Sequence, residues 1–546
     1  MKFALRLTLL AIMLATSAAP IAAETKQDQA KAARQEALAK ERRIIFNDDA
    51  GELEHEGSDT VDGFLEPRLR ALAGTQVDTI CWSILSEWGD APSYDSKVQP
   101  IFGEAQGTPP TAGTGLFDKN LKALIDAGHC PLNIVIDFAH SHGMEAFASV
   151  RMNDCHDSVI EPSLRTLWKQ QHPELLVKTE GTLPNKKLYI TAQDYTHDEV
   201  RQRKLDVFEE VCQRYDIDGF ELDYIRHPVF FSETMQGQPV TEKQVQIMTS
   251  FMRRVRQLTD QSGVARGRPI LIAASVPDNL QLAMNVGLDV KRWLDEDLVD
   301  ILIMGRGYAA FTMSIADVAE LAHQYSVPVF PCINRVPSGY AEMSEEAHLG
   351  HRGLASNWYQ QGADGIYYWN LGVGVTWPPK TGQDLVDTRG RLYAPLNEVG
   401  SPETLTGKNK LYAVDGPVFH YYAHVSSQPP LPIELRQDQI QTVPLFVGDD
   451  LVDADRDDTL DKLQLKMSLT GPISSEAVSF RLNGRPLGTG EFFRPEAAQR
   501  CTIQFSPSAR LFKIGENLIQ VTLKSDGNAS ASPVRLDQVE LTVRYR

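Results

Sequence analysis

Glu221 and Asp223 stand two residues apart in the run DIDGFELDYIRHP (216–228), and Arg226, His227 and Pro228 follow at once. The rest of the run has the make-up of a buried strand. Side chains alternate across a strand, so Phe220, Leu222 and Tyr224 share the apolar face and the two acids share the other. An ionised carboxylate is unfavourable in a core unless it is paired. Both acids are therefore expected to look onto a polar, solvent-reached site, Asp223 at the strand's end and Glu221 deeper. A deeper acid can instead be structural, satisfied by a partner such as Arg151. Paired carboxyl groups flanking a bond are what glycoside hydrolysis requires, about 5–5.5 Å apart for retention and roughly 6.5–9.5 Å for inversion.

The strand that carries the acids is one of eight. Short apolar runs alternate with longer amphipathic ones at RIIFNDD (43–49), VDTICWSI (77–84), MEAFASVRMND (144–154), IDGFELDYI (217–225), PILIAASVPD (269–278), VDILIMGRG (299–307), VPVFPCINR (327–335) and ADGIYYWN (363–370). Eight such units, with no Gly-rich phosphate turn at the first junction, predict an α/β fold, a (β/α)8 barrel over 43–375, in preference to an open doubly wound sheet. Pro131 and Gly143 mark the ends of the helix before the third strand, and Thr196 with Glu199 suggests a capping box before the fourth.

Barrel active sites lie at the C-terminal strand ends. Asp278, on the strand after Asp223, leads as its partner carboxylate, with Glu87 and Asp49 behind it. Arg151, Asn153, His156, Arg226, His227, Asn334 and Arg335 are expected to position hydroxyls or steady the carboxylates. Trp82, Trp88, Tyr308 and Trp369 have the character to stack on sugar faces, ordinary core packing being the alternative for each.

After residue 375 the pattern changes to a Pro-, Gly- and Thr-rich connection (376–440) and then to period-two alternation at KLQLKMSL, AVSFRLNG, NLIQVTLK and VELTVRY, which predicts a β-sandwich over 441–546. Asn483–Gly484 reads as a hairpin turn. The sandwich has no clustered His, Cys or paired acids and is expected to support the barrel rather than do chemistry. At the other end, Lys2 and Arg6 precede an apolar stretch and small residues, the layout of a signal peptide over 1–23. An exported protein is expected, periplasmic or extracellular, with 24–42 as a mobile helical lead-in.

The motifs also carry a resemblance. GFELD resembles the fourth-strand motif of the α-amylase clan of glycoside hydrolases, where a Gly-Phe-Arg-Leu-Asp run ends in the nucleophilic aspartate. Glu221 replaces that arginine, and the fifth strand ends in Val276–Pro277–Asp278 rather than a glutamate. A closer likeness, over 43–370, is to glycosyl-hydrolase-like barrels with RMNDCH (151–156), ELDYIRHP (221–228) and CINR (332–335). The resemblance implies a glycosidase with Asp223 as nucleophile.

The remaining composition narrows partners. A formal net charge of −18 argues against nucleic acid or an anionic membrane surface. No segment is long enough to span a bilayer, and the expected partner is a carbohydrate. Six cysteines without a CxxC pair disfavour structural zinc, although export permits a disulfide or two. No cofactor is expected. His156, His227 and the acids keep open a metal-assisted hydrolase or deacetylase, without HxxH or HExxH spacing. A glycan-binding barrel that has lost catalysis is the other alternative. DADRDD (453–458) has calcium-loop spacing but Asp458 where glycine is needed, and reads as a solvated acidic turn.

Overall fold

The computed structural model describes residues 26–85, 89–107, 115–158, 161–305, 312–334, 340–373, 380–415, 423–474, 476–494, 500–524 and 533–546. Eight parallel strands close into a barrel in chain order: β1 (Ile44–Asp48), β2 (Val77–Ser83), β3 (Glu145–Arg151), β4 (Gly219–Asp223), β5 (Leu271–Val276), β6 (Ile301–Met304), β7 (Val329–Ile333) and β8 (Ile366–Trp369). Each falls within one of the eight apolar runs.

Alternation sorts the strand residues as expected. Phe46, Ile80, Phe220, Leu222 and Ile272 point outward into the large core beneath the helices. Ile45, Phe147, Leu271, Ile301, Ile303 and Phe330 fill the barrel interior. Gly219 shares the inner face with Glu221 and Asp223, and a Cβ there would lie 2.6 Å from the Phe147 ring. The missing side chain lets Phe147 pack across the barrel and form an apolar floor. Above that floor the register sets Glu221 level with Ser149 and Ala273, and Asp223 level with Arg151 and Ser275.

The helix Pro131–Ser141 opens on its proline and is followed by Gly143 at φ 74°, a left-handed turn that glycine tolerates. The capping box expected at Thr196 does not form, because the helix Asp198–Arg214 starts after His197 without a side-chain cap. A complete box, Thr241 with Gln244, opens the helix Glu242–Arg266 instead.

The C-terminal strands build two facing sheets. β9 (Lys410–Val414), β10 (Ile433–Glu434), β12 (Leu460–Thr470), β15 (Glu491–Phe493), β16 (Arg500–Phe505) and β18 (Arg535–Tyr545) form one. β11 (Ile440–Val447), β13 (Val478–Leu482), β14 (Arg485–Pro486) and β17 (Gly515–Leu523) form the other. Asn483 and Gly484, at φ 50° and 79°, make the turn between β13 and β14.

Four expectations change. The segment 376–440 is more than a connection, because β9 and β10 both pair with β18. The stretch 453–458, read as a solvated acidic turn, is exposed and acidic, but its first four residues belong to the helix Leu451–Arg456, which Asp450 caps. All six cysteines are free thiols. Finally, the lead-in is docked rather than loose: the helix Lys26–Leu38 buries Arg34 among Asp260, Asp297 and Asp300, and Arg42 makes a two-pronged bond to Glu145 at 2.7 and 2.8 Å.

Arg34→Ala tests that docking. Removing one partner of a buried ion pair leaves an uncompensated charge at about 3–5 kcal/mol, but Arg256 still bonds Asp300 at 2.6 Å. A loss of about 2–3 kcal/mol in denaturant unfolding is expected, and no loss would show the helix to be dispensable.

Candidate active site

Glu221 lies on the barrel's inner face and is fully buried. Its partners are neutral: Asn47 Nδ2 donates to Oε2 at 2.8 Å and the Tyr367 hydroxyl to Oε1 at 2.5 Å. The arginine partner expected for it is therefore replaced by a cross-barrel amide and phenol. Burial, with the Asp223 charge added, pushes the carboxyl up to about 7 against the hydrogen bonds of Tyr367, Ser149 and Asn47. Glu221 is thus an acid beneath the site that titrates near neutral pH.

Asp223 ends β4 and is 1% exposed. Its Oδ1 accepts the backbone N–H groups of Ile225 at 2.9 Å and Arg226 at 2.8 Å. This Asx-type turn bends the chain sharply enough that His227 takes φ 55°, a left-handed conformation unusual for a residue with a side chain. The strand-end acid thus also builds the turn that presents Arg226 and His227.

Those two residues meet the loop after β3. Asp154, fully buried, bonds His156 Nδ1 at 2.9 Å and Arg151 Nη1 at 3.3 Å. Against its burial, His156, His227 and Arg151 hold the Asp154 carboxyl well below the usual range. The guanidinium of Arg226 bonds His156 Nε2 and lies 5.5 Å from the Trp369 ring centre. His156 and His227 pack edge to face at 4.8 Å. Burial, the Arg226 charge and that of Arg151 bring His156 down to about 4 despite Asp154, and burial first, then Arg226, push His227 well below 6.5. Both rings are neutral near pH 7, and their contacts assign the tautomers: His156 carries its proton on Nδ1, and His227, whose Nδ1 accepts the Cys155 N–H at 3.2 Å, carries it on Nε2.

Asp154, His156 and His227 each offer a ligand atom within 4.8 Å of the others. The donor chemistry does not fit a metal. A ring nitrogen binds a metal through its lone pair, yet His156 Nε2 receives the Arg226 guanidinium and His227 Nδ1 receives the Cys155 N–H. A guanidinium against the ligand cluster adds like-charge repulsion.

The other expected residues divide. Asp278 follows β5, is 2% exposed, and accepts the Ser427 N–H on both oxygens at 3.0 and 2.9 Å and the Ser427 hydroxyl on Oδ1 at 3.1 Å. Burial raises it to about 6 against those bonds. Asp49 is a structural ion: Arg68 donates to it at 2.6 Å, Asn370 also bonds it, and it titrates at about 2, Arg68 and Arg151 outweighing burial. It is not a reserve catalytic acid. Asn153 spends its amide on the backbone of Gln193 and Val229, at 3.1, 2.7 and 2.9 Å, and so staples the loop instead of meeting substrate. Trp82 points outward and packs edge to face on Phe64 at 6.0 Å, which rules out sugar stacking. Asn334 follows β7, its amide nitrogen buried and without a hydrogen-bond partner among the described residues. Glu87, Trp88, Tyr308 and Arg335 lie outside the described residues.

Tyr367 and Ser427 were not singled out beforehand. Tyr367 was within reach, because it shares the inner face of β8 with Trp369 by parity. Ser427 carried no signal.

No protein-family model and no curated protein matches the sequence. Solved structures do: an Anoxybacillus alpha-amylase (11% identity, 89% of this chain and 98% of that one, TM-score 0.36), the PgaB glycoside hydrolase domain of Bordetella bronchiseptica (9%, 66% and 99%, 0.40) and a Cellulomonas fimi endo-beta-1,4-mannanase (12%, 95% and 98%, 0.36). The chain is thus distantly similar to barrels of glycoside hydrolases. At this identity and TM-score the likeness carries no argument about its chemistry.

The Glu221 environment predicts a pH signature. Its folded pKa, about 7, lies above the roughly 4.3 of an unfolded glutamate, so the native state holds the proton longer. The contribution to stability is fully present below about pH 4 and is lost as pH rises towards 7. In Glu221→Gln this titration is gone. The stability of wild type relative to the variant should fall by something on the order of 3 kcal/mol between pH 4 and 8. A pH-independent difference in urea unfolding would show that folding leaves the Glu221 pKa unshifted.

Proposed function

We propose that this protein is an exported glycoside hydrolase acting on a neutral or mildly charged polysaccharide or oligosaccharide. The observation that carries the reading is Asp223: a carboxyl at the C-terminal end of β4, oriented by two backbone N–H groups, in register with Arg151 and next to the Arg226–Trp369 contact. Its neighbour Glu221, one layer deeper, is raised to about 7 by burial and by the Asp223 charge.

Asp278, at the end of the adjacent strand, is the proton donor in this reading, since burial lets it keep a proton up to about pH 6. Its proton passes to the glycosidic oxygen as the bond to the anomeric carbon breaks. The Asp223 carboxylate meets the positive charge that develops at that carbon, and water completes the hydrolysis, its hydroxyl ending on the anomeric carbon and its proton returning to the carboxyl pair. In this reading Arg151, and His227 through its Nε2–H, hold sugar hydroxyls. The N-terminal segment 1–23 acts as the export signal. No helix among the described residues is long and apolar enough to cross a membrane.

A glycan-binding screen run beside an assay for released reducing ends tests the activity. Saturable binding without product from any bound glycan would make the barrel a binding module. On a turned-over glycan, Asp223→Asn should lose at least about a hundredfold in kcat while the fold survives, because the amide oxygen still accepts the Ile225 and Arg226 N–H groups. Near-normal turnover would move the role to another acid.

A further inference from the structure

The segment 423–428 belongs to the chain between β9 and β10, both strands of the C-terminal sheet, yet it lies on the barrel. It is tied there at two places. His424 Nε2 is 3.3 Å from the Pro228 carbonyl, in the loop that follows Asp223, and its ring packs edge to face on Tyr189 at 5.7 Å. Ser427 meets Asp278, in the loop that follows β5. The strap therefore bridges the two loops that hold the two carboxyl groups of the proposed reaction.

We propose that Ser427 is a positioning residue for that reaction, which selects the oxygen of Asp278 that carries the transferable proton. The inference rests on the reading of Asp278 as the acid. From Ser427, Oδ1 accepts two hydrogens, the N–H at 3.0 Å and the Oγ–H at 3.1 Å, whereas Oδ2 accepts one, the shared N–H at 2.9 Å. A carboxyl proton on Oδ1 would compete with two donors, so the acid form places it on Oδ2. The hydroxyl is itself oriented, because Asn279 Nδ2 donates to Ser427 Oγ at 3.0 Å and leaves its hydrogen for Asp278. Asn279 is held in turn by capping the helix Leu280–Asn285 through the Leu282 N–H at 2.9 Å. Only burial and hydrogen bonds from Ser427 and the Asp278 backbone act on the carboxyl's titration, and no charged side chain among the described residues adds to it. Gly305, at the end of β6, packs beside it, a Cβ there lying 3.5 Å from Asp278 Cβ.

A donor to a carboxylate favours its charged form, so Ser427→Ala should raise the Asp278 pKa. The direct test is a carbon-13 NMR titration of aspartate-labelled full-length protein, with Asp278→Asn identifying the resonance. Ser427→Ala should move that titration to higher pH by about half a unit to one unit, the weight of one hydrogen bond, and Ser427→Thr should restore it. On a glycan found by the reducing-end screen, Ser427→Ala should lower kcat about tenfold with KM little changed and shift the alkaline limb of the pH profile upward, since a general acid fails when it loses its proton. An unmoved Asp278 resonance, or an unmoved alkaline limb and kcat in Ser427→Ala while Asp278→Asn abolishes that limb, overturns the positioning role and leaves the hydrolase reading intact. Unchanged turnover and limb in Asp278→Asn overturns the assignment of the acid, and with it the role of Ser427. Thermal unfolding of each variant separates these outcomes from loss of fold.

Discussion

Two carboxyl groups share the inner face of a single five-residue strand inside a closed barrel, and the surrounding structure gives them different partners. Side chains two residues apart on a strand are roughly 6.6 Å apart along it, and two full charges at that separation in a poorly solvated interior repel strongly. The barrel resolves this by depth. Glu221 meets only neutral donors, Asn47 and Tyr367, and keeps its proton near neutral pH; Asp223, one layer up, meets backbone N–H groups and has Arg151 in register on the next strand. Gly219 below them permits the Phe147 packing that closes the floor, so the polar layer begins above it, with both acids buried.

The same economy governs the rim. Asp223 terminates the strand and also organises the turn that sets His227 in a left-handed conformation and turns Arg226 back over Trp369. Asp154 then fixes His156, which receives Arg226. The result is a set of side chains whose protonation states are mutually determined: two neutral imidazoles between two guanidiniums and a carboxylate held ionised. This arrangement suits hydrogen bonding to hydroxyl groups better than metal ligation, because the ring lone pairs a metal needs are already engaged.

The C-terminal half enters the site through loops rather than through its sheets. The sandwich core is self-contained, with β12, β16 and β18 packed against β11, β13 and β17. Two hydrogen-bonding groups of Ser427 cross to Asp278 from a short strap, and further bonds tie the two halves elsewhere, the Tyr340 hydroxyl donating to Glu540 at 3.1 Å. A truncation at residue 440 would remove β18, with which β9 and β10 pair, and so would disturb the strap between them.

The eight strands, their order and the inward face of Glu221 and Asp223 were legible in the sequence, because period-two alternation and the βα repeat are local properties that survive in any context. By the same parity Tyr367 was legible beside Trp369. What sequence could not determine was partnership: that Asn47 and Tyr367 satisfy Glu221, that Asp49 belongs to Arg68 and Asn370, and that Asn153 is consumed by backbone. Each of these depends on which groups lie within about 3 Å across the barrel, at separations of up to 321 residues along the chain for Asp49 and Asn370. Ser427 is the extreme case, 149 residues from Asp278 in a stretch without periodicity or motif. Alternation along a strand tells a side chain which way to face. Only closure of the barrel and return of the distant chain decide what it meets there, and a buried carboxyl group takes its charge from what it meets.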